Sequence, residues 1–321
     1  MKLGLLSTAQ INRAILNGAR ATEVVDVVAV ASRDGAKAQA YAHEHGIGRS
    51  HAGYEALLED EGVDAIYISL PNGLHHEWTM RALAAGKHVL CEKPYSRHPA
   101  EVEEAFAAAE AGGLVLMEAF MYRHHPQTVR IRELVSGGAI GVLRSVSATY
   151  SFRLRDPGDV RFRPEFAGGS LMDVGCYCVS GVRLLAGEPE RIQAEQVVGE
   201  TGIDLALFGT MRHAAGVISQ VEASFDAPLR ERLEATGTEG TLVAESPWRM
   251  NDGARVLLTS DDSVEQVEVE RADHYLLELE NFAAAIAGEA EPLLGRADAL
   301  GQARTIEALY RAAERGETVT L

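Results

Sequence analysis

The sequence predicts an α/β protein, with a doubly wound parallel sheet in its N-terminal part and, after it, an α+β part built on a largely antiparallel sheet. Three observations carry that reading. The first 120 residues alternate short apolar runs with amphipathic stretches, the texture of strands covered by helices on both faces. From about residue 140 the runs instead alternate polar and apolar residues between glycine-containing turns, as strands do when one face is wet or meets another subunit. At 321 residues the chain also exceeds the size at which one core usually keeps growing, so two domains are expected, residues 1–121 and 122–321.

Taken in order, "KLGLLS", "VVDVVAVAS", "DAIYISLP", "KHVLCEKP" and "LVLMEAF" read as the N-terminal strands. The second is rich in valine, as a strand buried on both faces should be. Between them, "DGAKAQAYAHEHG" reads as a helix capped by Asp34 and stopped at Gly46, and "HPAEVEEAFAAAEAGG" as one with Pro99 near its start and Gly112 past its end. Further on, "LRSVSATYSFRL", "RIQAEQVVGE", "LALFGTMRH", "AGVISQVEASF" and "ERLEATGTEGTLVAE" read as half-wet strands. Two helical stretches, "HYLLELENFAAAIAG" and "RADALGQARTIEALYRAAERG", close the chain; the apolar positions of the first read as helix packing and are assigned no site.

Composition removes several function classes. Hydrophobic residues make up 46% of the chain, ample for real cores. Asp and Glu outnumber Lys and Arg 47 to 30, and a net charge of −17 repels a phosphate backbone, so no nucleic-acid partner is expected. The start "MKLGLLSTAQINRAIL" is a poor signal peptide and too short to span a bilayer, so no membrane partner is expected either. Three cysteines, Cys91, Cys176 and Cys178, form neither a disulfide framework nor a CxxC pair, and a cytoplasmic location fits them. Cys176 and Cys178 point to different helix faces and read as buried packing, and the pairs His75–His76 and His124–His125 lack HExxH spacing, so no metal site is assigned.

An opening strand, tight turn and helix is where the pyrophosphate of a dinucleotide rests, on backbone N–H groups at a helix N-terminus. Here the three small positions of G-x-G-x-x-G fall on Ser7, Ala9 and Asn12. Ser and Ala are compact enough for close approach, but neither takes φ > 0 as freely as glycine, and an ordinary strand–turn–helix fits the same residues. The second strand runs out as "VASRDG", where an NAD site would place an acid on the ribose. Ser32 and Arg33 suit a 2′-phosphate instead; a solvated loop capped by Asp34 is the plainer alternative. NADP is therefore the expected cofactor, with NAD as the alternative because Asp34 stands next door.

Two stretches could carry chemistry. "CEKPYS" puts Glu92, Lys93 and Pro94 at the carboxyl end of a parallel strand, where open α/β sheets build sites; singly, such a Lys reads equally as half of a surface ion pair. "GGSLMDVGCYCVS" places Asp173 and Tyr177 at i and i+4, on one face if the stretch is helical. The arginines of "RLRDPGDVRFRPEF", among them Arg161 and Arg163, fit a substrate-holding loop or a solvated one.

Together, "LLSTAQINRAI", "VVAVASRD", "YISLPNGLHHEW", "AGKHVLCEKPYS", "LMEAFMYRHHPQ" and "GGSLMDVGCYCVS" resemble, in order and spacing, the Gfo/Idh/MocA family of oxidoreductases, most like its branch of NADP-dependent sugar and dihydrodiol dehydrogenases. The resemblance implies a Rossmann domain followed by a domain whose open mixed sheet pairs subunits into a homodimer or homotetramer. It implies that Lys93 and Tyr177 are the catalytic Lys and the acid/base Tyr, and that Asp173 shapes the substrate side. It further implies that Leu70, Asn72, His75, His76, Glu92, Lys93 and Pro94 line the cofactor, that Ser7, Thr8, Ala9, Gln10 and Ile11 form the pyrophosphate turn, and that Ser32 and Arg33 form the 2′-phosphate pocket. The glycine-free turn is the main departure from the family's pattern. The implied reaction moves hydride between the nicotinamide and a secondary alcohol or hemiacetal carbon of a sugar or diol, with Tyr177 exchanging the hydroxyl proton and the charge of Lys93 favouring its phenolate. A nucleotide-sugar ketoreductase and a non-catalytic cofactor-sensing regulator are the alternatives.

Overall fold

The computed structural model describes residues 1–250, 255–261 and 263–321. They form two compact units, Met1–Met121 with Asp273–Leu300, and Tyr122–Ala272 with Gly301–Leu321. Among the described residues no helix is long and apolar enough to cross a membrane.

The first unit begins with alternating strands and helices: β1 (Lys2–Leu5), α1 (Asn12–Arg20), β2 (Asp26–Ser32), α2 (Gly35–His45), β3 (Arg49–Ala52), α3 (Tyr54–Leu58), β4 (Ala65–Ile68), α4 (His75–Ala84), β5 (His88–Glu92), α5 (Pro99–Ala111) and β6 (Leu116–Ala119). The strands make one parallel sheet in the order β3-β2-β1-β4-β5-β6, reversing direction of growth between β1 and β4. That reversal opens a crevice beyond the carboxyl ends of the strands, where such sheets bind ligands. Asp34 caps α2 as its position predicts, its Oδ1 accepting from the N–H groups of Ala36 and Lys37 at 2.9 and 3.2 Å, and Gly46 ends the helix at φ 72°. The apolar runs are all strands, but the "RSHA" of β3 escapes the sequence reading because three of its four residues are polar and it is mostly exposed, as an edge strand tolerates.

The second unit holds α6 (Pro126–Ser136), β7 (Leu143–Ser151), α7 (Cys176–Ala186), β8 (Pro189–Val198), β9 (Asp204–His213), β10 (Ile218–Ser224), β11 (Arg230–Gly237), β12 (Gly240–Ala244), β13 (Val256–Ser260) and β14 (Val264–Val267). After α8 (His274–Ile286) and α9 (Arg296–Arg315), β15 (Val319–Thr320) completes its sheet, in the order β14-β13-β12-β11-β7-β10-β9-β8-β15. Among the described residues only β7 and β10 pair parallel in it, so the sheet is mixed and mostly antiparallel, as predicted. The single stretch "ERLEATGTEGTLVAE" is two strands joined at Gly237–Gly240.

The chain passes between the units three times, after Met121, Ala272 and Leu300, and α8 belongs to the first unit. The cause is a close approach to α1: a Cβ on Gly18 would sit 2.9 Å from the Leu276 backbone nitrogen. A larger residue there would push α8 off.

Candidate active site

At the end of β1, Ser7 is buried and its Oγ stands 2.7 Å from Ser69 Oγ while accepting the Ala9 N–H at 3.0 Å. Asn12 Nδ2 donates to the Ser7 carbonyl at 2.8 Å. These bonds hold the turn with no residue from Ser7 to Asn12 at positive φ, so the turn needs no glycine. The N–H groups of Asn12, Arg13 and Ala14 fold back onto the carbonyls of Ala9, Gln10 and Ile11 at 3.2, 3.1 and 2.9 Å, while those of Gln10 and Ile11 find no backbone acceptor among the described residues. Two free donors at a helix N-terminus suit a phosphate. Thr8, Ala9 and Ile11 are half-buried and Gln10 exposed.

At the end of β2, Ser32 is buried, its Oγ accepting the Asp34 N–H at 3.2 Å, and Arg33 is exposed with no ion pair among the described residues. The Asp34 carboxylate is engaged in capping α2. The strand end thus offers an unpaired guanidinium and no unengaged acid.

The two histidines part company. His75 is fully buried, its ring nitrogens 2.8 Å from the Leu70 carbonyl and 3.0 Å from the Pro94 carbonyl. Burial, with the charge of Lys93 adding to it, holds its imidazole below the usual range; in its neutral form the ring has one N–H and donates to one of the two carbonyls. His76 Nδ1 lies 3.0 Å from the Tyr95 hydroxyl and its Nε2 3.3 Å from Glu104. Asn72 opens a short 3₁₀ turn ahead of α4. At the end of β5, Glu92 accepts from the Tyr67 hydroxyl at 2.5 Å and from the Lys93 N–H at 3.3 Å, and the Lys93–Pro94 peptide is cis. Burial and the charge of Glu92 push the Tyr67 phenol up, keeping it a donor.

In the second unit, residues Leu171–Gly175 form a π-helical turn leading into α7 rather than a plain α-helix. Asp173 receives Arg161, Nη1 to Oδ2 3.4 Å, and Arg161 is gripped by Asp159 at 2.8 and 2.9 Å. Hydrogen bonding to Asp159 raises the Arg161 pKa, and the same bond lowers that of Asp159. Arg163 does not join: it is exposed, without an ion pair among the described residues. Tyr177 is 7% exposed, its ring 5.7, 5.8 and 6.0 Å from the rings of Tyr150, Tyr122 and Trp248. Cys176 and Cys178 are buried and donate to the carbonyls of Asp173 and Glu222 at 3.4 and 3.6 Å.

What holds this helix escaped the sequence reading. Asp204 on β9 is buried and accepts from Ser170 Oγ and the Leu171 N–H at 2.7 Å each, and from the Tyr310 hydroxyl at 2.8 Å. Gln302 of α9 donates to the Cys176 carbonyl at 2.7 Å and accepts from Arg183 at 3.0 Å. Gly181 lets Trp248 approach, since a Cβ there would lie 2.7 Å from the indole. No local pattern links these residues; only the doubled glycine before Ser170 hinted at a tight approach.

Known proteins are similar to this chain along its whole length. Residues 3–120 match the oxidoreductase family with NAD-binding Rossmann fold, and residues 128–243 match the GFO/IDH/MocA C-terminal domain. The chain is 40% identical over 326 residues to a D-xylose 1-dehydrogenase (NADP(+)) of Haloferax volcanii, covering 100% of both. Its structure is similar to that of a 3-ketoreductase from Actinomadura kijaniata in complex with NADP and TDP-benzene, with 30% identity, 97% of each chain covered and a TM-score of 0.92. Forms of that enzyme bearing a tyrosine-to-phenylalanine or a lysine-to-alanine change are similar too. An aldose-aldose oxidoreductase from Caulobacter crescentus complexed with glycerol superposes at 27% identity and a TM-score of 0.93, over 100% of this chain and 99% of that one. The unbroken coverage of both units, together with the Rossmann strand order, makes the chain a member of the Gfo/Idh/MocA family of oxidoreductases.

Proposed function

We propose that the chain is an NADP(H)-dependent oxidoreductase that interconverts a secondary alcohol or hemiacetal of a sugar and the corresponding carbonyl. The observation that carries this is the sheet edge of the first unit, where the turn after β1, the unpaired Arg33 after β2 and Lys93 after β5 all stand at strand carboxyl ends. Gln10 and Ile11 N–H groups would hold the pyrophosphate, Ser32 and Arg33 the 2′-phosphate, and Leu70, Asn72 and Pro94 the nicotinamide side. His75 would act behind them, fixing the loops that carry Leu70 and Pro94. When bound, the nicotinamide supplies the hydride acceptor or donor. Tyr177 would exchange the substrate hydroxyl proton, Lys93 would place positive charge on the substrate oxygen, and Asp173, oriented by Arg161, would bind sugar hydroxyls. The identity to an NADP-dependent D-xylose dehydrogenase supports an aldose as substrate.

One observation favours a second reading, a ketoreductase of nucleotide-linked sugars: Arg153, Arg155 and Arg163 are exposed without ion pairs among the described residues and could meet a diphosphate. The reading also includes a cytoplasmic homodimer or homotetramer formed through the open face of the mixed sheet, where Phe208 is 48% exposed. The test is absorbance of the reduced nicotinamide with NADP⁺ or NAD⁺ and D-xylose, D-glucose or an aromatic dihydrodiol, alongside NADPH oxidation with a keto nucleotide sugar. Reduction of NADP⁺ by an aldose is expected. Silence with every pair, despite NADP binding, would leave only the sensor reading standing.

A further inference from the structure

Glu118 is the one acid in β6, a strand whose residues Leu116–Ala119 are all buried, and it is itself 2% exposed. Packing alone favours an apolar side chain in such a strand, because a carboxyl group taken out of water is costly unless hydrogen bonds replace those it loses. The bond that Glu118 makes is directed: its Oε1 accepts the Tyr95 N–H at 2.7 Å. Tyr95 lies 23 positions earlier in the chain, just past Lys93 and Pro94.

The register of β5 and β6 explains how the acid reaches it. Cys91 pairs with Glu118 and Glu92 with Ala119, so β6 runs beside the last residues of β5. Beyond Glu92 the chain leaves the sheet as Lys93–Pro94–Tyr95. There the peptide unit between Pro94 and Tyr95 is met at both ends. Its N–H is taken by Glu118, and its carbonyl lies 3.0 Å from the His75 ring. Tyr95 is 1% exposed, and its hydroxyl stands 3.0 Å from His76 Nδ1. Both histidines belong to α4 and the acid to β6, so the segment carrying the lysine is fixed from two different elements of the first unit.

We propose that Glu118 is a positioning residue for Lys93: by holding the Tyr95 amide it fixes the path of the chain as it leaves β5, and with it the point from which the lysine side chain starts. The proposal rests on the role given to Lys93 above. Without the carboxyl oxygen the Tyr95 N–H becomes a buried donor with no acceptor, a costly state that the segment relieves by shifting, and Lys93 shifts with it.

Three variants of the full chain test this. Glu118→Gln keeps an oxygen able to accept the N–H, Glu118→Leu removes it, and Glu118→Asp withdraws it by one methylene. Amide exchange at Tyr95, followed by NMR, should be slow in the wild type and in Glu118→Gln, and faster by roughly tenfold or more in Glu118→Leu. With NADP⁺ and D-xylose, Glu118→Leu should lower kcat roughly 10- to 100-fold, the scale of a displaced catalytic group, while Glu118→Gln keeps most of the activity. A cycle with Lys93→Met separates positioning from a general loss of fold: once the lysine is gone, Glu118→Leu should cost less than about twofold. Losses that multiply would overturn the proposal, as would unchanged exchange at Tyr95. If the leucine variant does not fold, Glu118→Asp takes its place in both measurements, with the same outcomes expected. Near-normal turnover in Lys93→Met alone would count against the reading of function, while the exchange at Tyr95 still decides whether Glu118 holds the amide.

Discussion

Gly169 stands so close to Asp204 that a side chain on it would overlap the carboxylate, and its backbone holds φ at 120°, a region L-residues rarely adopt. The two residues together start the π-turn and α7, because the Asp204 carboxylate receives the Ser170 hydroxyl and the Leu171 N–H. Gly169→Ala therefore carries both backbone strain and overlap, and should destabilise the fold by about 2–4 kcal/mol. Denaturant unfolding reads the loss, and a midpoint within error of the wild type would refute the packing account.

The donors on Asp204 make a separate prediction. Asp204→Asn keeps the shape but turns an NH₂ towards the Ser170 hydroxyl or the Leu171 N–H, or towards the Tyr310 hydroxyl if the amide flips. Either way one buried O–H or N–H loses its acceptor, which costs about 1–3 kcal/mol. Stability should fall by that amount while NADP affinity, which belongs to the first unit, changes less than turnover does.

The parts of the molecule that were legible in the sequence are those whose pattern is local. β2 and β4 show as apolar runs, Asp34 and Gly46 bracket α2, and the glycine-free turn is explained only once Ser7 is seen bonded to Ser69, 62 residues away. The residues that depend on distant partners did not show. Asp204 sits one position before the stretch that reads as a strand, and nothing near it announces Ser170 or Tyr310. Glu278 lies in a helix that reads as plain packing, because the packing of α8 against α1 is not marked by its neighbours in sequence. Arg161 and Arg163 are alike in sequence, yet only Arg161 reaches Asp173, since Asp159 holds its guanidinium in place.

Lys93→Met and Tyr177→Phe should each lower turnover by about two orders of magnitude, the lower range for general acid–base groups, while NADP binding is largely kept. Phenylalanine retains the ring packing against Tyr122, Tyr150 and Trp248, so a loss in Tyr177→Phe would not be a loss of fold. Steady-state rates with matched cofactor titrations separate the two effects. Near-normal turnover in either variant would remove that residue from the chemistry.

Arg33 bears on cofactor choice. Removing a charge-assisted contact costs about 1.5–3 kcal/mol, so Arg33→Ala should weaken NADP binding roughly 10- to 100-fold. NAD has no 2′-phosphate and should be little affected. Fluorescence titration of both reduced cofactors gives the ratio; equal weakening of the two would mean that Arg33 does not read the 2′ position.

Glu278 on α8 is 1% exposed, with no hydrogen-bond partner for either carboxyl oxygen among the described residues, and this has a consequence for stability. Burial first, and the charge of Glu92 next, raise its carboxyl well above the ordinary range, whereas in the unfolded chain it titrates near about 4.3. The native state therefore keeps a proton that the unfolded chain releases. The stability the carboxyl contributes is complete below the unfolded value and is lost as pH rises towards the folded one. Glu278→Gln cannot ionise, so its advantage over the wild type should widen by about 1.4 kcal/mol per pH unit across that window and level off above it. Unfolding free energies measured from pH about 4 upward test the slope. A difference between the two proteins that stays constant with pH would mean that Glu278 is ionised in the folded chain, with a donor supplied by the water around it.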